Sequence, residues 1–590
     1  MQDNKYNFDP KKYSKDLKVI LKEIAERDSF DYKALRNILA KYPKESKGFF
    51  SKDELIAAYE HFLSQGFIEQ NSVMERRIKM KPTRTISGVT TVTVLTKPFP
   101  CPGKCIFCPN DVRMPKSYLS DEPGAQRAER NNFDPYLQTY NRLLAIQNIG
   151  HGTEKVELIV LGGTWSFYPE AYQIWFVKEC FRAMNDFGVQ DRRNEVKTKN
   201  IFDEADKAPR ITREGRSRTY NEIIDTVQKG QGEELLSESE FATWEELYER
   251  QKHNETAKSR CVGLVIETRP DYIDEKEVMK IRKLGATKVQ IGIQSLDDQV
   301  MTLNMRGHGR RETENAIKLL RLAGFKIHGH WMANLYGSTP EKDIQDYSHL
   351  WGESIRPDEL KIYPTSIIDK TELYELYKRG KYKPYSYEQL LKVLTEVMPL
   401  TPRYCRLTRV IRDIPSTDIV AGNKLTNFRQ IAEEELNQMG KSCQCIRCRE
   451  IRGGNVSLDR VEKEEIEYKT STGREFFISY RTKDSDKICG FLRLSIPDKK
   501  ISSENFIKEL RDKAIIREVH VYGEVVGIGK ESKGRSQHLG LGKLLIKRSL
   551  EIARENAYDK ISVISAIGTK EYYKKRGFKE DGLYMSRATK

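Results

Sequence analysis

The sequence predicts an α/β protein of several domains: a partial βα barrel, a linker and a second, smaller α/β domain, behind a small helical region. Three observations carry this expectation. Between residues 89 and 400 short apolar runs alternate with helical stretches, as parallel βα units do. One cysteine triplet stands just after the first of those runs, and a second follows residue 400. In the last part of the chain a glycine-rich loop opens an amphipathic helix. The 590 residues leave room for about three or four domains. No apolar run approaches the ~20 residues of a membrane-spanning helix, and Met1-Gln2-Asp3-Asn4-Lys5 does not open a secretory signal. A cytoplasmic enzyme or nucleic-acid protein is the class left. Its 102 Lys+Arg against 86 Asp+Glu, a formal charge of +16, suit a polyanionic partner.

In chain order, residues 1–75 read as a helical region, because Leu17, Ile20, Leu21 and Ile24, then Leu35, Ile38 and Leu39, then Leu55, Ala58, Tyr59 and Phe62 recur at helical spacing. A basic arm follows: Arg76, Arg77, Lys79, Lys81, Arg84 and Lys97 with no acidic residue among them, which suits phosphate contacts. The barrel is expected over 76–400, with strands at 89–95, 155–161, 261–267, 288–293, 326–334 and 359–363. Dense alternating charge over 190–255 reads as an exposed, mostly helical insertion whose role the sequence leaves unassigned. Residues 401–460 form the linker, opening on a Pro- and Arg-rich stretch at 401–412. Residues 461–590 have the strand-then-loop-helix order of one α/β domain.

Ten cysteines are too few for a disulfide scaffold in a chain of this length. Cys180, Cys261, Cys405 and Cys489 are scattered, as small core residues are. Cys101, Cys105 and Cys108 form a C-x3-C-x2-C run, enough thiolates for three irons of a cubane cluster. The fourth iron would stay open to chelate a ligand; a structural zinc site is the alternative. Gly162 and Gly163 end the second strand, and Glu267 and Gln294 stand at the ends of the third and fourth, where barrel sites lie. The run after a first strand resembles the radical-SAM superfamily. That resemblance implies a 4Fe-4S cluster and S-adenosylmethionine at Gly162, Gly163, Glu267 and Gln294, with a 5′-deoxyadenosyl radical as the reagent.

Cys443, Cys445 and Cys448 are packed into a basic linker, a spacing that suits a closed zinc site, with Cys405 as candidate fourth ligand or else a core cysteine. Gln537, Gly540 and Gly542 precede a helix, and glycines there let backbone N–H groups converge on a phosphate, with Lys543 or Arg535 adding charge. The pattern resembles the acetyl-CoA loop of GNAT acetyltransferases, and Tyr572 and Tyr573 fit its later part.

Pro115-Lys116-Ser117-Tyr118, Asp134-Pro135-Tyr136-Leu137-Gln138, Glu267-Thr268-Arg269-Pro270-Asp271, Lys361-Ile362-Tyr363-Pro364-Thr365 and Arg412-Asp413-Ile414-Pro415 together resemble the Elongator catalytic-subunit family of tRNA uridine carboxymethyl synthases. The resemblance implies a radical-SAM partial barrel joined through a zinc-binding linker to a GNAT-like domain. It implies that the radical takes hydrogen from the acetyl methyl of acetyl-CoA, that the carbon adds to carbon 5 of the wobble uridine, and that thioester hydrolysis leaves a carboxymethyl group. Tyr572 and Tyr573 would hold the thioester end. The tRNA anticodon stem-loop would meet the basic arm, Lys361, Tyr363 and the Arg-rich stretch at 403–412, and self-association or accessory subunits are expected partners. Glu518 and His520 are candidates for the hydrolytic step. A protein lysine acetyltransferase with a structural SAM domain, or an RNA-binding scaffold, are the alternative readings.

Overall fold

A computed structural model describes residues 8–45, 48–81, 85, 87–198, 218–229, 240–412, 414–452, 456–522, 525–526 and 540–590. Arg84, Arg535 and Gln537 lie outside the described residues.

Four helices open the chain: α1 (Ser14–Glu26), α2 (Tyr32–Lys41), α3 (Lys52–Ser64) and α4 (Ser72–Ile78). Asp31 caps α2 by accepting from the Ala34 N–H, and Ser51 and Glu54 form a capping box on α3. Their apolar faces close on one cluster with Phe50 and Met74. This alters the reading of the basic arm. Arg76 and Arg77 belong to α4, and Arg77 donates to the Ile24 and Ala25 carbonyls at 2.5 and 3.2 Å. It is spent on the open C-terminal end of α1, where a cation also meets the negative end of the helix dipole. Arg76 and Lys81 remain exposed, and Lys79 is half-buried, which lowers its pKa.

The first sheet has seven parallel strands in sequence order: β1 (Thr90–Leu95), β2 (Lys155–Leu161), β3 (Arg260–Thr268), β4 (Lys288–Gln294), β5 (Lys326–Trp331), β6 (Glu359–Ile362) and β7 (Arg406–Val410). Among the described residues β1 and β7 are not paired, so the barrel is partial. The face of these strands that packs under the helices is apolar, with residues such as Val156, Leu158 and Val160 or Leu360 and Ile362, which is why six of the seven are visible in the sequence. The seventh, Arg406-Leu407-Thr408-Arg409-Val410, is an edge strand that alternates polar and apolar residues, so the sheet runs past residue 400 into the stretch read as linker.

Helices α5 (Pro135–Gln147) and α6 (Glu170–Asp186) cover this sheet. The described parts of the insertion hold α7 (Tyr220–Lys229) and α8 (Trp244–Asn254); α8 is largely exposed, as expected, but both helices bury one face against the barrel. Tyr220, Ile223, Ile224 and Leu247 are buried, and Asn254 donates to Asn185 of α6 at 2.8 Å.

The second sheet runs in the order β8 (Val461–Thr470), β9 (Gly473–Thr482), β10 (Ile488–Pro497), β11 (Ala514–Val521), β12 (Lys560–Val563), β14 (Tyr584–Ala588) and β13 (Lys579–Asp581), with α9 (Leu541–Glu555) against it and α10 (Lys570–Lys574) after β12. β11 and β12 are parallel and pair only over Ala514–Ile516. Beyond Ile516 the two strands part, and β11 continues to Val521 paired with β10 only.

A buried ionic seam joins the two sheets. Asp358, wholly buried, takes a bidentate pair from Arg517 at 2.7 and 2.6 Å and a further contact from Arg493 at 3.5 Å. Arg517 also meets Glu475 at 3.2 Å, and Arg493 meets Glu518 at 2.9 Å. Gly324 stands where a Cβ would lie 2.9 Å from Ile515 of the second sheet, so the two domains touch without space for a side chain. No helix among the described residues is long and apolar enough to cross a membrane.

Candidate active site

β1 ends at Leu95, and the chain runs directly into the loop that carries Cys101, Cys105 and Cys108 at the C-terminal edge of the partial barrel. Cys105 is buried, and Cys101 and Cys108 are half-buried. Cys108 and the Arg306 and Arg269 guanidiniums hold the Cys105 thiol well below its usual range. Arg306 reaches its sulfur at 3.4 Å and Arg269 at 3.9 Å. Arg269 is oriented by a fork on Asp271 at 2.9 and 2.7 Å, and Arg306 by the Gly292 carbonyl at 3.1 Å. Cations beside thiolates favour the deprotonated, metal-binding form. Sequence reasoning did not single out either arginine. Arg269 lies inside a quoted motif at a strand end, whereas Arg306 comes from a loop with no local signal.

Cys101, Cys105 and Cys108 do not gather within 4.8 Å of one another, whereas Cys443, Cys445 and Cys448 do. The contrast is chemical. Thiolates on three irons of a cubane stand further apart than thiolates sharing a single ion. In the second triplet the Cys445 and Cys448 sulfurs are 3.7 Å apart, and Cys448 has Arg429 at 3.4 Å and the Glu433 carboxylate at 3.7 Å. Cys405 is not in this group. It is fully buried, burial raises its pKa, and its carbonyl accepts from the Ile446 N–H at 2.9 Å, so it supports the loop as a core residue.

At the end of β2, Gly162 has a packing reason: a Cβ there would run into the Thr96 hydroxyl. Gly163 has ordinary space. Gln294 sits at an irregularity between β4 and β5, with φ at +66°, and its buried Oε1 has no partner. A left-handed backbone carrying an unpartnered buried acceptor suits a position that meets a ligand. Glu267 has a raised pKa from burial, offset in part by Lys361 and Arg412.

Cys108, Arg306, Glu267 and Gln294 line one cavity of about 1290 Å³ that extends from the cysteine loop to the second domain, while Cys101, Cys105, Gly162 and Gly163 are not among its lining. Cys108, Ser117 and Tyr118 line one end; Glu267, Gln294, Arg306, Lys361 and Tyr363 follow; and Glu518, His520, Val563 and Tyr573 line the gap between the parted β11 and β12. Lys361 donates to Gln290 at 2.6 Å, and Tyr363 packs edge-on to His330, which places both inside the cavity. Glu518 pairs with Lys326 and Arg493, and those cations hold its carboxyl low despite burial. Burial lowers the His520 pKa to about 4, so the ring is neutral, and its Nε2 has no partner. Fourteen Lys and Arg residues line the cavity against six Glu, so half of the chain's formal excess of +16 faces this one space.

Gly540 caps α9 with φ at +97°, a conformation that a side chain would strain, and Gly542 is buried where a Cβ would meet the Tyr572 hydroxyl. Tyr572 therefore stands over the start of α9, beneath the Arg576 guanidinium at 3.3 Å from its ring centre, while Tyr573 faces the cavity. Lys543 is exposed on the first turn of α9.

The chain matches the Radical SAM superfamily model over residues 180–347 and the Radical_SAM C-terminal domain model over 357–438. It is 36% identical to the tRNA uridine(34) acetyltransferase of Methanocaldococcus infernus, over 96% of this chain and 97% of that protein. It is 33% identical to Elongator complex protein 3 of Homo sapiens, with 88% of each covered. Among solved structures, the archaeal Methanocaldococcus infernus Elp3 with an N-terminal deletion (1-46) superposes with a TM-score of 0.66 at 33% identity, covering 85% of this chain and 100% of that one.

Proposed function

The chain belongs to the family of the tRNA uridine(34) acetyltransferases and Elongator complex protein 3, and from that premise we propose that it is a radical-SAM acyltransferase that attaches a carboxymethyl group, drawn from acetyl-CoA, to carbon 5 of the tRNA wobble uridine. One observation carries the reading: the cysteine loop and the gap between the parted strands open into the same cavity. Two reagents bound at opposite ends would meet inside it without crossing bulk water.

Cys101, Cys105 and Cys108 would hold the 4Fe-4S cluster, and Gln294, Glu267 and the Gly162–Gly163 edge would hold S-adenosylmethionine. The orphan Gln294 Oε1 and the arginine-flanked Cys105 support that fit. Together the cluster and S-adenosylmethionine supply, when bound, the one-electron chemistry that activates an unreactive methyl group. The gap between β11 and β12, the left-handed Gly540 and the small Gly542 fit acetyl-CoA, with the thioester end toward Tyr573. Cys443, Cys445 and Cys448 fit one zinc ion in a structural role.

The protein's own residues bind, orient and exclude water. Phe491, Val519, Val563 and Ile564 give the second-domain end apolar walls. The cationic lining attracts the phosphates of both CoA and tRNA. Lys361 and His330, both anchored on Gln290 Oε1 at 2.6 and 2.9 Å, present a fixed donor and a flat ring where an unstacked base would lie. Of the two groups considered for thioester cleavage, Glu518 is engaged by two cations, and His520 has a buried, unpartnered Nε2 and a depressed pKa that makes it a weak base, so His520 fits a neutral hydrogen-bonding role beside the thioester rather than proton abstraction from water.

The test is a reaction of the anaerobically reconstituted protein with S-adenosylmethionine, reductant, acetyl-CoA and tRNA, followed by nucleoside mass spectrometry. A carboxymethyl increment on uridine together with release of 5′-deoxyadenosine is the expected result. Acetylated lysine with unmodified tRNA would replace this reading by the protein acetyltransferase one.

A further inference from the structure

The insertion between β2 and β3 has no evident place in the chemistry, yet its helix α7 lies on the cysteine loop. Thr219 and Glu222 form a reciprocal cap at its start: the Thr219 N–H donates to the Glu222 carboxylate at 2.7 Å, and the Glu222 N–H to the Thr219 hydroxyl at 3.3 Å. Tyr220, Ile223 and Ile224 then recur on one face and pack against Val112 of the cysteine loop. Two polar side chains at the start of the helix grip the same loop at separate points. The Cys101 N–H donates to Asn221 Oδ1 at 3.0 Å, and Asn221 Nδ2 donates back to the Cys101 carbonyl at 2.8 Å. The Tyr220 hydroxyl donates to the Met114 carbonyl at 2.8 Å. Glu240, also from the insertion, pairs with Lys97 just before the loop begins.

A side-chain amide that satisfies both the N–H and the C=O of one residue fixes that peptide in the manner of a neighbouring strand. The residue so fixed is Cys101, half-buried, whose thiol has no arginine hydrogen bond among the described contacts and stands 3.8 Å from the Thr164 hydroxyl. Cys105 is oriented by Arg269 and Arg306 from the barrel itself, and Cys108 by the Ser117 hydroxyl at 3.4 Å. Partners that orient a metal ligand without touching the metal typically change affinity or activity 10–100-fold when removed.

We propose that α7 is a clamp on the iron–sulfur loop, with Asn221 as the positioning residue that holds Cys101 in its ligating geometry and Tyr220 closing the far end of the loop. This rests on the radical-SAM reading of the site. The insertion is then a working part of the first domain, and a chain lacking it would need another device at Cys101.

The test uses the full chain, reconstituted anaerobically with iron and sulfide. The rate of iron loss to a chelator and the electron paramagnetic resonance spectrum of the reduced cluster are read with and without S-adenosylmethionine. Asn221→Ala is expected to lose iron about tenfold faster and to show an altered spectrum, while the melting curve of its metal-free form matches that of the unsubstituted protein. Asn221→Asp keeps the acceptor for the Cys101 N–H and loses the donor to its carbonyl, so its rate should fall between the two. Tyr220→Phe, which removes one hydroxyl and keeps the ring, should lose iron several-fold faster. Iron loss and spectra of Asn221→Ala and Tyr220→Phe equal to those of the unsubstituted protein would overturn the clamp. Failure of the unsubstituted chain to take up iron and sulfide at all would instead overturn the cluster reading.

Discussion

Replacing Asp358 by asparagine removes the charge at the centre of the seam between the barrel and the second domain. Asp358 is fully buried just before β6; its carboxylate accepts from both Arg517 nitrogens and from the Ile327 N–H at 2.8 Å and stands 3.5 Å from Arg493, which donates to its backbone carbonyl at 3.2 Å. Burial pushes its pKa up, but Arg517, Arg493 and Arg321 outweigh it and hold the carboxyl below its ordinary value. Breaking one side of a buried ion pair costs about 3–5 kcal/mol, because the partner charge is left desolvated. Here Arg517 keeps Glu475 and Arg493 keeps Glu518, so the lower end, about 3 kcal/mol, is expected. That is roughly two orders of magnitude in the equilibrium between docked and undocked domains.

Hydrogen exchange in the full chain reads this directly. Peptides covering residues 357–361 and 514–521 should lose about 100-fold in protection in Asp358→Asn, while α1 to α4 are unchanged. Acid should produce the same release. A carboxyl with a depressed folded pKa contributes stability that is present above its unfolded pKa of about 3.9 and is lost as pH falls through the lower folded value. The unsubstituted protein should therefore keep the seam protected down to about pH 4 and lose it below, and the variant should lack that step. Equal protection of the seam in both proteins at neutral pH would refute the argument that this pair docks the domains.

Cys105→Ser should abolish release of 5′-deoxyadenosine while acetyl-CoA binding, measured by calorimetry, is retained; concurrent loss of both would mean that the two ends of the cavity are not separable. Gly542→Ala puts a methyl group against the Tyr572 hydroxyl, an overpacking worth about 1–3 kcal/mol, and should weaken acetyl-CoA binding about tenfold with the iron content unchanged. Cys443→Ser should lower bound zinc, read by atomic emission, whereas Cys405→Ala should leave it unchanged; loss in the second variant would return Cys405 to the ligand set. Lys81→Ala, at the cavity mouth, should reduce the salt slope of tRNA binding by about one, whereas Arg77→Ala should destabilise the N-terminal helices by about 1 kcal/mol without changing that slope.

Much of the fold was legible because its signals are local. Each of the six expected strands carries apolar residues on the face packed under the helices, such as Val156, Leu158 and Val160 or Val289, Ile291 and Ile293, and their bounds agree with the sequence reading to within three residues at either end. β7 is missed because only Leu407 and Val410 of its five residues are apolar: Arg406 and Thr408 line the cavity and Arg409 is exposed, so no apolar run marks it. The cysteine loop was legible from thiol spacing, but the residues that tune it were not. Arg306 and Asn221 reach Cys105 and Cys101 from 201 and 120 residues away, and no pattern in a single sequence records such a distance. For Cys405 the sequence leaves two readings, zinc ligand or core cysteine, and the structure places it buried and outside the close group of Cys443, Cys445 and Cys448.

The charge argument changed most between sequence and structure. Read along the chain, the basic excess concentrated in the arm before β1, but folding spends Arg77 on a helix end and buries part of Lys79. The excess reappears inside, on the wall of a cavity that has only six carboxylates, of which Glu122, Glu157, Glu359, Glu450 and Glu518 are already paired with cations. An interior wall with a surplus of cations is costly unless an anion completes it. The phosphates of a nucleotide cofactor and of an RNA strand would supply that charge, so the same lining that attracts both substrates also ties the stability of the assembled cavity to their presence.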